Sequence, residues 1–275
     1  MPWTLGPPDG RYLIRRDGAG SGAAPSHVLV LATLGAQKRS QLGRFRRQNK
    51  ALPEPEPSLV TTSRATIVEV GDPLSTSEQA AVWLSGAGEP ELASGLVVLN
   101  RVLHSHRLAS ADPHVYGVGR HDALVARIGY GAGEEVADGL WTDARELIDS
   151  ARGRRRRLPA AQARLAALLT GRHAPLVSEE LALRARLDLD DGRTREAALQ
   201  VLVALDAALA ELPADPAAPA LAERLAELAS LHDGVAAAAT AALERTIDAP
   251  QTDAIAFALG RLEAALRARV ASLPG

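Results

Sequence analysis

The sequence predicts an α+β fold: an N-terminal antiparallel or mixed sheet with helices, followed by an all-α helical-hairpin or bundle domain. Composition changes near residue 150. Seven of the eight aromatic residues lie between Trp3 and Trp141, and only Phe257 lies beyond. The first half carries short β-branched runs separated by glycine, whereas Ala and Leu make up nearly half of the second. Apolar residues in that second half recur at helical spacing, so two different kinds of core are specified. The expected domains are 1–151 and 159–275, with an Arg-rich linker over 152–158.

In the first domain, Arg11 to Arg15 alternates and reads as a strand, and His27 to Leu34 is apolar enough for a central one. The intervening Gly/Ala/Ser/Pro-rich segment makes a long hairpin loop. Residues 36–60 read as an exposed basic and Pro-rich loop, because Pro53-Glu54-Pro55-Glu56-Pro57 cannot be helix interior. Thr61 to Val70 is the next strand. Ser75 or Thr76 caps a helix running to Ser85, since a hydroxyl there accepts an orphan backbone N–H. Glu91 to Arg107 is a second helix, with Leu92, Leu96, Leu99, Val102 and Leu103 on one face. His114 to Val118 and Ala123 to Gly131 read as strands, and 142–151 as a helix capped by Thr142.

Six helices are expected beyond the linker, at 159–170, 178–190, 194–212, 217–231, 235–248 and 251–272. Gly171, Gly192, Gly234, Pro213, Pro216, Pro219 and Pro250 punctuate them. Ala185 to Asp191, the turn glycine Gly192, the pair Glu196-Ala197 and the later Ala204-Leu205 make a local pattern over 178–212. That pattern resembles the helix–turn–helix of a tetratricopeptide repeat. It departs from the family where an aromatic usually follows the turn, since Thr194 stands there. The resemblance implies a helical hairpin with Ala197 buried at its crossing and Arg195 on the surface. A weaker echo places Gly234 before Ala238-Ala239, 42 residues from Gly192.

The net charge is −2, which gives no overall bias towards nucleic acid or anionic membranes. Cysteine is absent, which excludes disulfides, thiolate metal sites and a cysteine nucleophile. No run of 18 apolar residues occurs, so no membrane span is expected, and no signal-peptide pattern follows Met1-Pro2-Trp3. A cytoplasmic protein without a cofactor is the expectation.

Three segments are candidates for function. Lys38, Arg39, Arg44, Arg46, Arg47 and Lys50 put six positive charges in 13 residues, and Arg154 and Arg155 lie in the linker. Together they suit phosphate backbones or an acidic protein surface. His104, His106, His114 and His121 are four of the seven histidines, near Asp112 and Asp122. Imidazole and carboxylate can hold a divalent metal, although at i and i+2 on a helix His104 and His106 diverge. The glycines of Gly129 to Glu135 follow a strand as phosphate-binding loops do, but Val136 stands where the dinucleotide pattern needs glycine. No nucleophile motif, such as Gly-x-Ser-x-Gly, occurs. The expected function is therefore a non-enzymatic interaction or regulatory module that docks a protein partner through the helical domain. Weak, sequence-independent nucleic-acid binding through 38–50 and 152–157 is one alternative. A metal-dependent enzyme built on 104–135 is the other.

Overall fold

The computed structural model describes residues 5–15, 23–35, 62–147 and 158–272. The chain divides into two compact units, Met1–Asp149 and Ser150–Gly275. The fold class is α+β, with the helices concentrated in the second unit.

The first unit is built on β1 (Gly10–Ile14), β2 (His27–Leu34) and β3 (Thr62–Glu69), antiparallel with β2 in the centre. Strand alternation sets one face. Tyr12, Leu29 and Ile67 stand in one row across the sheet, and Leu31 pairs with Ala65 in the next. These side chains and Ile14 close onto Leu99 and Leu103 of a long helix. That helix, α2 (Glu89–Ser110), follows α1 (Ser77–Gly86), whose N-terminus is capped by the Thr76 hydroxyl accepting from the Gln79 N–H at 3.1 Å.

Two expectations in this unit are corrected. Residues 114–118 do not form a strand; at the end of the segment the backbone of Val118 is held by a side chain instead. The buried Asn100 accepts from the Val118 N–H at 2.7 Å and donates to its carbonyl at 3.3 Å. Residues 143–146 are a strand rather than a helix. This β5 (Asp143–Glu146) pairs antiparallel with β4 (Arg127–Tyr130), shorter than the 123–131 expected. Gly129 admits the pairing, since a Cβ there would lie 2.6 Å from the Asp143 carbonyl oxygen. Cross-strand pairing overrides the local helix propensity of this segment.

The second unit contains α3 (Leu158–Leu169), α4 (Val177–Asp190), α5 (Thr194–Glu211), α6 (Ala218–Leu243) and α7 (Ala249–Ser272). α4 and α5 form the expected hairpin around Gly192, whose φ of 73° suits glycine. Arg193 braces the turn by donating to Asp188 at 2.8 Å and Asp191 at 2.7 Å. Small residues let the helices approach closely: Ala185, Ala197 and Ala198 are fully buried. α5 is the central helix and packs on α4, α6 and α7. From Thr194 to Ala214, through α5 and the 3-10 turn that follows it, a mean hydropathy of 1.5 would by composition admit a membrane crossing. Within this unit, Val201, Ala204, Leu205 and Ala208 of that stretch lie in the core, whereas Val203 is half exposed.

The expected break at Gly234 does not occur, and the echo of a second hairpin there is overturned. Leu221, Leu228, Val235 and Ala242 recur every seven residues and form one buried stripe along α6. Gly234 lies on the exposed side, where a glycine costs about 1 kcal/mol, less than the stripe gains by staying continuous. Arg195 also departs from expectation. Its Nε donates to the Ala242 carbonyl at 2.7 Å, satisfying the C-terminal end of α6.

Replacing Ala197 by Arg forces a long cation into the α4–α5 contact and should cost several kcal/mol. Replacing the exposed neighbour Glu196 by Ala should cost under about 0.5 kcal/mol. Urea unfolding of the two variants tests the placement, and equal midpoints would refute it.

Candidate functional site

The structure disperses the histidine segment. His104 and His106 occupy the last turns of α2, and the His106 ring lies against Gly6. His114 is exposed in the following turn, where its N–H donates to the Asp112 carboxylate at 2.9 Å. His121 is exposed in a short 3-10 turn, 3.6 Å from Asp122. Among the described residues, no three His, Asp or Glu side chains are placed to hold a metal ion. In the glycine segment, Glu134 and Asp138 are both engaged by Arg11 of β1, so these two carboxylates brace the sheet. Lys38, Arg39, Arg44, Arg46, Arg47, Lys50, Arg154 and Arg155 lie outside the described residues.

The densest polar constellation lies elsewhere, at one end of the helical unit. Arg269, in the last turns of α7, is 4% exposed. Its Nε donates to Asp215 Oδ2 at 2.6 Å and its Nη1 to Glu179 Oε1 at 3.2 Å. Asp215 precedes α6 and also accepts from the Ala217 N–H at 2.9 Å. Glu179, in the first turn of α4, accepts from the Leu176 N–H at 3.0 Å and from Arg164 of α3 at 3.0 and 3.1 Å. Glu211, the last residue of α5, caps α4: it accepts from the N–H groups of Val177 and Ser178 at 2.9 and 3.1 Å and from the Ser178 hydroxyl at 2.7 Å. A carboxylate at a helix N-terminus satisfies orphan amides and meets the positive end of the helix dipole.

Burial alone would push the Glu211 carboxyl up, but the Ser178 and Val177 donors and the Arg269 charge hold it below the usual carboxylate range. Asp215 behaves alike: burial raises it, while the Ala217 N–H and Arg269 together bring it lower. The cluster has the chemistry of a helix-end clamp. Every carboxylate in it is occupied by donors from the protein, which leaves no acceptor poised for a substrate proton.

The sequence reading missed this cluster, although a signal was present. Arg269 continues the apolar series Leu262, Ala265 and Leu266 at helical spacing, and so occupies a core position. A charge there demands buried partners. Other bridges tie the helices laterally. Arg186 of α4 forks onto Glu263 of α7 at 2.8 and 3.1 Å. His232 of α6 meets Asp206 of α5 at 2.8 Å, and this bond, helped by Asp233, raises the imidazole above its ordinary value.

Two concavities accompany these features. One, of about 400 Å³, lies between Leu5–Asp9 and the ends of β2 and β3. Its described lining carries a single ionisable group, Asp9, whose carboxylate is taken up by the Thr33 N–H and hydroxyl, both at 2.9 Å. The other, of about 590 Å³, lies along α6 and α7 beside Glu223, Arg224, Glu227 and Arg261. No protein family, curated protein or solved structure matches this chain.

The direction of each shift fixes a pH window. Glu211 and Asp215 have folded values below their unfolded ones. Their contribution to stability is present above about pH 4 and is lost as pH falls through the folded values. His232 has the opposite sign: its contribution is complete below about pH 6.5 and disappears as pH rises through the raised value. Thermal unfolding across pH should therefore show a weaker acid-side fall in Asp215→Asn than in the parent. His232→Gln should lose stability relative to the parent at pH 5.5 but little at pH 8.5. Superimposable profiles would contradict both assignments.

Proposed function

We propose that this protein is a non-enzymatic interaction module that docks a protein partner through its C-terminal helical unit. The supporting observation is the exposed face of α4. Leu183 and Leu187, one turn apart, are 68% and 49% exposed, opposite the inward-facing Ser178, Ala182 and Ala185. Exposed leucines at that spacing on a well-packed helix are the material of helix-face recognition. Arg184 and Glu180 flank them and pair with each other at 2.9 Å, a polar rim beside an apolar centre. The tetratricopeptide-like character of the α4–α5 hairpin agrees with this reading, since such hairpins serve as protein-binding scaffolds. Among the described residues, the carboxylates of the Arg269 cluster and the Arg11-bound Glu134 and Asp138 are engaged in structural bonds, which weighs against a catalytic reading.

The basic residues support a different reading, weak nucleic-acid attachment, and one experiment separates the two. The full chain, a Leu183→Asp/Leu187→Asp variant and a control Val82→Asp in the first unit are compared in pull-downs and in DNA-binding titrations. A protein retained by parent and control, but bound at least about tenfold more weakly by the double variant, supports docking through α4. Equal retention by all three contradicts it. DNA binding at about 50 mM salt that falls steeply as salt rises, and is weakened by Arg44→Ala, Arg46→Ala and Arg47→Ala, would favour the nucleic-acid reading.

A further inference from the structure

α3 is attached to its unit in a different way from the four helices that follow it. The buried apolar cluster of this unit draws on α4, α5, α6 and α7 and includes none of the described α3 side chains. Ala167 is the one buried residue among those side chains. Leu165 and Leu169, one turn apart, are 55% and 78% exposed. The described side chains of the helix have therefore gained little by burying apolar surface against the bundle.

A polar fork holds it instead. Arg164 Nη2 reaches both oxygens of Glu179, with side-chain exposures of 17% and 20%, so the contact is partly shielded from water. The other guanidinium nitrogen faces His173 Nδ1 at 3.3 Å, in the turn between α3 and α4. On the bundle side, Glu179 also accepts from the Leu176 N–H and from Arg269. The clamp and the core are complete without α3. Among the described α3 side chains the main polar contact with the bundle is this fork, and a helix held in that way has a low free energy of local opening. A fork between charged groups is also the kind of bond that salt weakens.

We propose that α3 is an ionic latch: it opens from and closes onto the α4–α7 bundle through the Arg164–Glu179 fork while the bundle stays folded. Opening uncovers the Glu179 carboxylate in the first turn of α4. The latch is a property of the fold and does not rest on the docking reading above.

Hydrogen exchange on the full chain, followed by mass spectrometry, tests it, with α5 amides as the internal reference. In the parent, α3 amides should exchange at least about tenfold faster than those of α5. Arg164→Gln should accelerate α3 by a further factor of roughly ten or more and leave α5 within about twofold, since a charge-assisted fork shifts a local equilibrium on that scale. Raising salt to about 1 M, where the screening length falls to about 3 Å, should accelerate α3 in the parent but not in Arg164→Gln. Arg164→Lys keeps the charge without the fork and should fall between the two. The proposal is overturned if α3 is as protected as α5, if Arg164→Gln accelerates α3 and α5 alike, or if the salt response survives in Arg164→Gln.

Discussion

A single guanidinium, buried where α7 ends, sets the arrangement of the helical unit. Arg269 cannot stay charged away from water without partners, and an unpaired buried charge would cost several kcal/mol. The partners it takes are a carboxylate from the first turn of α4 and another that opens α6. The end of α5 joins the same node through Glu211, which closes the amides of α4 and feels the Arg269 charge. One buried cation thus brings together the starts of two helices and the ends of two others. That juxtaposition requires the antiparallel, up-and-down order of α4 to α7. The apolar stripes supply most of the stability by burial, but they are rich in alanine and leucine and tolerate sliding. The charged node is directional, since Arg269 hydrogen-bonds to both Asp215 and Glu179, so it favours one register.

The first unit solves its own backbone accounting by a related device. Asn100 of α2 satisfies both backbone groups of Val118, at the end of the irregular 114–118 segment. Arg11 ties the edge strand β1 to the turn that carries Glu134 and Asp138. In both units, side chains on regular elements satisfy the backbone or charges of irregular ones. Of the carboxylates beside the glycine segment, Glu134 and Asp138 are engaged in that way by Arg11.

Periodicity was legible from residues alone. The strand at 27–34, the strand expected over 61–70 and found at 62–69, a helix cap at Ser75 or Thr76, the helix carrying Leu99 and Leu103, and the hairpin around Gly192 all follow from local pattern and turn chemistry. What could not be read was decided by partners distant in sequence. Residues 143–146 have helical propensity but pair with β4 because Gly129 lets the strands approach. Gly234 is a helix stop in isolation, yet a stripe of heptad spacing passes through it. The clamp was hidden for the same reason: Glu179, Glu211, Asp215 and Arg269 are spread over 91 residues, and each has a bland local explanation. Only Arg269, a charge in line with Leu262 and Leu266, advertised a buried partner.

The claim that Arg269 sets the helix ends is tested most directly by a double-mutant cycle of Arg269→Met and Asp215→Asn, read by denaturant unfolding of the full chain at neutral pH. The account predicts that Arg269→Met alone costs about 3–5 kcal/mol, because it leaves buried carboxylates without their cation. It also predicts that the double variant is more stable than the sum of the two losses implies, by about 1–3 kcal/mol. A loss below about 1 kcal/mol for Arg269→Met, the scale of an ordinary surface ion pair, together with strict additivity, would contradict it.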